Sequence, residues 1–376
     1  MSHRRAAALH AGPGLGVFYV TGGGSQLLAD LLTEPGASAT VLEAKVPYAT
    51  ASLTELLGGA PDRSCSPTTA AALATCAWQR ARALSAAEPE QRGDLFGFGL
   101  TAALATNRPK RGAHRAHLAL QTDAATFELS VAFDKSDTDR AREEHALVEA
   151  AFALLGEALQ TDVGGSTPFD AAIRTATGRP EWREVLTGTR VATPNELAED
   201  GPPKILFSGA FNPLHDGHRR MATFASQRLA APVAFEICID NVDKPPLDYA
   251  AITARWRQFD AAPLWLTRLP TFIEKARQFP HAHFLVGVDT IVRIAAPRYY
   301  ASEAAMFAAF DEFAALGTRF LVFGRADERG FLTLTDCELP EPLAQLCDGV
   351  SEAEFRLDIS STALRAATQQ GDSDDD

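Results

Sequence analysis

Residues 204–218 read Lys-Ile-Leu-Phe-Ser-Gly-Ala-Phe-Asn-Pro-Leu-His-Asp-Gly-His. The run at 204–207 reads as a strand. The glycine and proline that follow break it, and 219–230, Arg-Arg-Met-Ala-Thr-Phe-Ala-Ser-Gln-Arg-Leu-Ala, carries apolar residues at helical spacing. The pattern is strand, tight loop, helix, with His215 on the loop and His218 in the first helical turn. Backbone N–H groups at a helix start are unpaired and partly positive, so an anion is welcome there. Two imidazoles beside that start suit a phosphate. As a metal pair they need two further ligands, and Asp216 is the sole local candidate.

Working outward, further strands are expected at 233–239, 283–286 and 320–323, with helical stretches between them. That alternation predicts a mostly parallel sheet covered on both faces. Ligands of such sheets bind outside the carboxyl ends of the strands. Residues 208–218, 240–244 and 287–289 each follow a strand, so they are expected at one rim. Upstream, Ala198-Glu-Asp-Gly-Pro-Pro203 marks a break. A first α/β block precedes it, with strands at 18–20, 116–120 and 125–133 and helices at 26–32 and 140–159. The expected organisation is a domain at 1–162, a linker with a short helix at 163–203, a second domain at 204–370 and a disordered acidic tail at 371–376.

The chain has 376 residues, enough for two cores, and 46% of them are apolar. No apolar run nears the roughly 20 residues of a membrane span, and no secretory signal is evident at the start. The five cysteines are odd in number and widely spaced, which argues against a disulfide framework or a structural zinc site and fits a reducing cytoplasm. A net charge of −13 disfavours nucleic acid as a partner but allows a local basic pocket for a nucleotide.

The stretch Ser208-Gly209-x-Phe211-Asn212-Pro213-x-His215-x-Gly217-His218 resembles the signature of the HxGH nucleotidylyltransferases. A second stretch, Ile359-Ser-Ser-Thr-Ala-Leu-Arg365, is similar to that family's C-terminal signature. The resemblance implies a Rossmann-like sheet on which an acceptor phosphate attacks the α-phosphorus of a nucleoside triphosphate and pyrophosphate leaves. Such chemistry is alignment plus charge stabilisation. The resemblance gives His215 and His218 the α-phosphate. It gives Ser208, Gly209, Ala210, Phe211, Asn212 and Gly217 the nucleotide-binding loop. Ser360, Ser361, Thr362 and Arg365 receive the β- and γ-phosphates. Lys244, in Asn241-Val-Asp-Lys-Pro-Pro246, is the basic residue implied to meet the triphosphate or acceptor phosphate; otherwise it is a turn lysine. Gly287-Val-Asp289 resembles the Gly-x-Asp segment that adenylyltransferases for pyridine mononucleotides place near adenosine, so Gly287 and Asp289 are candidates; otherwise it is a strand-end turn. Mg²⁺ is implied through the triphosphate, with no metal set of the protein's own.

Val20-Thr-Gly-Gly-Gly-Ser-Gln-Leu-Leu-Ala29, with Pro35-Gly-Ala-Ser38, Val46-Pro-Tyr48 and Leu56-Leu-Gly58, resembles the CinA C-terminal domain, the nicotinamide-mononucleotide deamidase fold. The functional residues of that family do not carry over. Its serine falls on Gly22, its lysine on Leu53, and its Gly-Pro-Gly-Gly loop on 101–112. A deamidase-inactive domain is expected, with Gly22, Gly23, Gly24 and Ser25 as a phosphate nest at a helix start.

Together these imply a two-domain α/β enzyme. ATP is favoured as donor and nicotinamide or nicotinate mononucleotide as acceptor, since deamidation and adenylylation act on the same mononucleotide. Cytidylyl transfer, phosphopantetheine adenylylation and a non-catalytic nucleotide sensor are the alternatives. The expected partners are small nucleotides, with neither nucleic acid nor membrane, and a homo-oligomer is left open.

Overall fold

The computed structural model describes residues 2–88, 93–107, 112–135, 139–164, 167, 171–240, 245–327 and 330–356. The chain forms two compact units, one of Met1–Thr187 with Asp240–Thr253 and one of Gly188–Ile239 with Ala254–Asp376. No helix among the described residues is long and apolar enough to cross a membrane.

The first unit runs α1 (Ser2–His10), β1 (Gly14–Thr21), α2 (Ser25–Thr33), β2 (Val41–Lys45), α3 (Thr50–Leu57), α4 (Pro67–Ala87), β3 (Asp94–Ala103), β4 (His114–Thr122), β5 (Ala125–Phe133), α5 (Arg140–Leu159), β6 (Arg174–Thr177) and α6 (Pro180–Thr187). Its sheet has the order β2-β1-β3-β4-β5-β6. β1 is parallel to both neighbours, and the strands from β3 to β6 are antiparallel. Alternation along β1 explains the two cores. Phe18 and Val20 pack with Leu27, Leu31 and Leu155 on one face, while Val17 and Tyr19 pack with Leu53, Leu57 and Leu73 on the other. α4 lies hard against β3 because Gly97 and Gly99 face it. A Cβ on Gly97 would sit 2.0 Å from the Trp78 nitrogen, and one on Gly99 2.3 Å from the Ala70 carbonyl oxygen. Residues 245–253 complete this unit through the fully buried Tyr249. Its N–H donates to Thr126 Oγ1 (3.0 Å) and its hydroxyl to the Asp123 carbonyl (2.6 Å).

The second unit contains β7 (Ala192–Pro194), β8 (Ile205–Ser208), α7 (Asp216–Leu229), β9 (Val233–Cys238), the end of α8 (Tyr249–Trp256), β10 (Leu264–Thr267), α9 (Phe272–Gln278), β11 (His283–Gly287), α10 (Val288–Ile294), α11 (Glu303–Ala315), β12 (Arg319–Phe323), β13 (Arg325–Asp327), β14 (Gly330–Leu332), α12 (Glu341–Ala344) and β15 (Cys347–Val350). Its main sheet has the order β15-β12-β11-β8-β9-β10-β7, parallel except for β7, which runs antiparallel beside β10. The chain moves outward from β8 to β9 and β10, then returns to the other side of β8 for β11, β12 and β15. The direction of winding therefore reverses between β8 and β11. At such a switch point the loops leave the sheet in opposite directions and open a crevice at the carboxyl ends.

The stretch at 163–203 was expected to link two domains. Within it, β6 joins the first sheet, α6 follows, and β7 joins the second sheet. Both strands are short and sit at sheet edges, where half of the backbone pairing suffices. The tail at 371–376 lies outside the described residues.

Candidate functional site

The two segments that flank the switch point are 209–218, after β8, and the start of α10, after β11. The first is held by unusual local geometry. Phe211 has φ +42°, a conformation bulky residues avoid, yet its ring is buried at 2% exposure. Its ring packs edge-on against Phe207, Phe235, Phe259 and His218, with centroids 5.0–5.4 Å apart. Gly209 makes room for that ring, since a Cβ there would lie 2.7 Å from Phe211 Cζ. Gln258 then pins the loop from both sides. Its Nε2 donates to the Phe211 carbonyl (3.0 Å), and its Oε1 accepts from the Leu214 N–H (2.7 Å). Arg255 Nε donates to the Ala210 carbonyl (3.0 Å), and the Gly209 N–H donates to the Glu236 carbonyl (3.0 Å).

That loop delivers the two histidines to the start of α7. His215 is its N-cap residue, with extended φ/ψ, and Asp216 opens the helix. The imidazole rings stack with centroids 3.7 Å apart. The His215 N–H donates to His218 Nδ1 at 3.3 Å. An Nδ1 that accepts carries no proton, so neutral His218 holds its proton on Nε2 and presents a donor there. Burial, and secondly the neighbouring His215, push the His218 pKa down to about 4. Burial also lowers that of His215, against a smaller opposing pull from Asp216. Both shifts favour the neutral imidazole, which carries one N–H donor on each ring.

Ser208 ends β8, and its buried Oγ has no hydrogen-bond partner among the described residues. Gly217 is buried in the first turn of α7, while Ala210 and Asn212 are more open. Across the switch point, no described atom lies within 4 Å of a Cβ built on Gly287, so packing does not explain the absent side chain. Asp289, in the first turn of α10, is exposed and paired with Arg325 of β13. The structure thus brings Ser208–His218 and Gly287–Asp289 to adjoining carboxyl ends of one sheet. Lys244, Ser360, Ser361, Thr362 and Arg365 lie outside the described residues. Trp256 and Trp265 are packing residues: Trp256 is buried, and Trp265 meets the Phe279 ring at 5.1 Å. Sequence reasoning missed Gln258 and Arg255, the residues that clamp the loop. Their signal was weak, two polar side chains in Arg255-Trp-Arg-Gln258, more than 40 positions from their partners.

In the first unit, Gly22–Ser25 has a structural occupation. Gly22 has φ +76°, and a Cβ on it would sit 1.9 Å from the Ala102 carbonyl oxygen. Where a phosphate nest was expected, an internal carboxylate is in place. Glu144 accepts from the Gln26 N–H (3.1 Å) and, at 3.4 Å, from the Ser25 hydroxyl. Arg140 donates to the Gly22 carbonyl (3.1 Å) and the Ala105 carbonyl (3.0 Å). The start of α2 therefore already has its negative partner, from a residue 118 positions away.

An open α/β sheet with a histidine-bearing loop at its switch point belongs with the doubly wound folds, whose ligands bind at the carboxyl ends of the strands. More particularly, residues 206–367 match the model of the cytidylyltransferase-like family. The chain's N-terminal part has likenesses among solved structures. Competence/damage inducible protein CihA from Agrobacterium tumefaciens is 20% identical with a TM-score of 0.30, covering 42% of this chain and 95% of that one. A competence-damaged protein (CinA) superfamily protein from Escherichia coli is 15% identical with a TM-score of 0.33, covering 42% and 88%. Comparison with curated proteins gives no match.

Proposed function

We propose that the second unit is a nucleotidyltransferase that joins a nucleoside monophosphate, from ATP, to the phosphate of nicotinamide or nicotinate mononucleotide and releases pyrophosphate. The observation that carries the reaction class is the pair of stacked neutral imidazoles at the start of α7, beside the switch point of a parallel sheet. A phosphate monoester is nucleophilic at neutral pH, so the reaction asks for alignment and for charge stabilisation at the α-phosphorus. His218 Nε2–H, His215 and the first N–H groups of α7 are donors suited to phosphoryl oxygens that gain negative charge. The low pKa of His218 favours its neutral form, whose Nε2–H donates a hydrogen bond to those oxygens with no proton transfer. Gln258, Arg255 and the Phe211 ring hold these donors still. Ser360, Ser361, Thr362, Arg365 and Lys244 complete the triphosphate site in this proposal. The donor set fits a Mg²⁺ carried on the triphosphate, since it offers N–H and O–H groups to phosphate oxygens and Asp216 is the carboxylate at the loop; the ion supplies charge neutralisation when bound. The first unit, with Gly22 and Leu53 where deamidases have serine and lysine, carries no deamidase chemistry in this proposal.

The test is turnover by the full-length protein with Mg²⁺, crossing ATP and CTP with nicotinamide mononucleotide, nicotinate mononucleotide, phosphopantetheine and phosphocholine. Dinucleotide from ATP and a pyridine mononucleotide, lost in His215→Ala, is the expected result. Turnover with another pair keeps the reaction class and removes the substrate. Tight triphosphate binding with no turnover by any pair favours a nucleotide sensor.

A further inference from the structure

β2 closes one edge of the first unit's sheet, and among the described residues no strand pairs with its outer side. A free edge offers unpaired N–H and C=O groups to another strand, and proteins usually cover or blunt it. This edge is apolar on both faces. Val41 and Ala44 pack, partly buried, against the core on one face of the sheet, and Leu42 against the core on the other. Beyond the strand, Val46 is 49% exposed and Tyr48 69%. A groove of about 520 Å³ opens beside them, lined by Lys45, Val46 and Pro47 and by Ser52, Glu55 and Leu56 of α3.

Charge selects the occupant. The register puts Val17 beside Glu43 and Tyr19 beside Lys45, so both charges stand on the face that α3 and α4 cover. Arg80 Nη2 donates to Glu43 Oε2 at 2.9 Å, and Lys45 Nζ lies 3.2 Å from Oε1. Lys45 makes that contact along its own strand, over two residues, and keeps 48% of its side chain in solvent. Positions directly opposite on paired strands lie closer together than i and i+2 on one strand. A second β2, laid antiparallel about a twofold axis at Ala44, sets Glu43 opposite Lys45 twice and Leu42 opposite Val46 twice. An axis at Glu43 or at Lys45 instead sets that residue against its own copy, and like charges directly opposite are destabilising. The register at Ala44 is therefore favoured.

We propose that the chain forms a homodimer through β2, the two six-stranded sheets joining edge to edge. The axis stands normal to the sheet, so the α3 and α4 faces of both copies lie on one side. Leu42 of the second copy, opposite Val46, then projects on the side where the groove opens. The dimer goes beyond the transfer reaction and does not rest on it; its test reads mass rather than turnover.

The experiment is sedimentation velocity of the full-length protein from micromolar to hundreds of micromolar, in wild type, Lys45→Glu and Glu43→Lys, with circular dichroism to establish folding. Wild type is expected to move from the mass of one chain to that of two as concentration rises. Each single variant sets like charges opposite at both symmetric positions and is expected to weaken the dimer about tenfold or more. An equimolar mixture of the two variants is expected to recover it, because each supplies the sign that the other needs. Wild type at the mass of one chain throughout would overturn the dimer. Unchanged association of folded Lys45→Glu, whose side chain is half in solvent, would overturn this surface whether or not Glu43→Lys folds. A mixture of the two folded variants that associates no more tightly than either alone would overturn the register.

Discussion

Replacing Gln258 with leucine tests whether the histidine loop is held from outside itself. The substitution keeps the side chain's bulk and deletes two hydrogen bonds, one to the Phe211 carbonyl and one from the Leu214 N–H. At about 1 kcal/mol each, the loss is about 2 kcal/mol. It falls on a loop whose Phe211 backbone, at φ +42°, already stores on the order of 1–3 kcal/mol of strain. With competing loop conformations already close in free energy to the competent one, 2 kcal/mol lowers the ratio of competent to other states roughly thirtyfold. kcat/KM for triphosphate is therefore expected to fall about thirtyfold. Gln258→Glu keeps an acceptor for Leu214 and should fall in between. Steady-state pyrophosphate release, with circular dichroism to establish folding, reads the effect. A folded Gln258→Leu protein with kcat/KM within about threefold of wild type would refute the clamp.

Four further variants probe the histidine loop, the buried ion pair and the first unit. The depressed pKa of His218, about 4, sits below the roughly 6.5 of an unfolded histidine, so the unfolded chain binds the proton first as pH falls. That contribution is complete above pH 6.5 and is lost on descent toward pH 4. Discounted for a ring that is partly exposed, it amounts to on the order of 1–2 kcal/mol. Urea midpoints at pH 4.5 and 7 should differ less in His218→Phe than in wild type; identical differences would contradict it. Lys275 Nζ donates to Oε1 of the buried Glu236 at 2.6 Å. Lys275→Met strands that carboxylate and should cost about 3–5 kcal/mol in chemical denaturation, whereas Glu236→Leu/Lys275→Met should lie near wild type. A silent single substitution would mean the pair is not buried as described. Gly22→Ala forces a Cβ onto the Ala102 carbonyl at a positive φ and should destabilise the first unit by at least about 2 kcal/mol, read as a lower thermal midpoint.

Local pattern carried much of this in advance. The strand at 204–207 became Ile205–Ser208 and the following helix Asp216–Leu229, because an apolar run, a glycine loop and a 3.6-residue period are all written within 25 residues. The alternation of strands and helices likewise foretold the parallel sheet. Elements set by distant partners were illegible. β7 has three residues ending in Pro194, too few for any period, and exists because the edge of β10 accepts it. β10 itself, Leu-Trp-Leu-Thr, shows no alternation because both of its faces are covered. The membership of 245–253 in the first unit rests on Tyr249 and residues more than 120 positions away. The same holds for function. The histidines announced themselves by spacing, whereas Glu144 at the start of α2, Gln258 at the loop and Lys275 beside Glu236 are juxtapositions that only folding creates.

The most direct test of the account is pyrophosphate release from ATP and nicotinamide mononucleotide by the full-length protein, compared with His218→Ala. The expected result is stoichiometric dinucleotide and pyrophosphate in wild type, with kcat lowered about 100- to 1,000-fold in the variant, as for loss of one donor to transition-state charge. Equal turnover in the two folded proteins would contradict the role given to the stacked imidazoles.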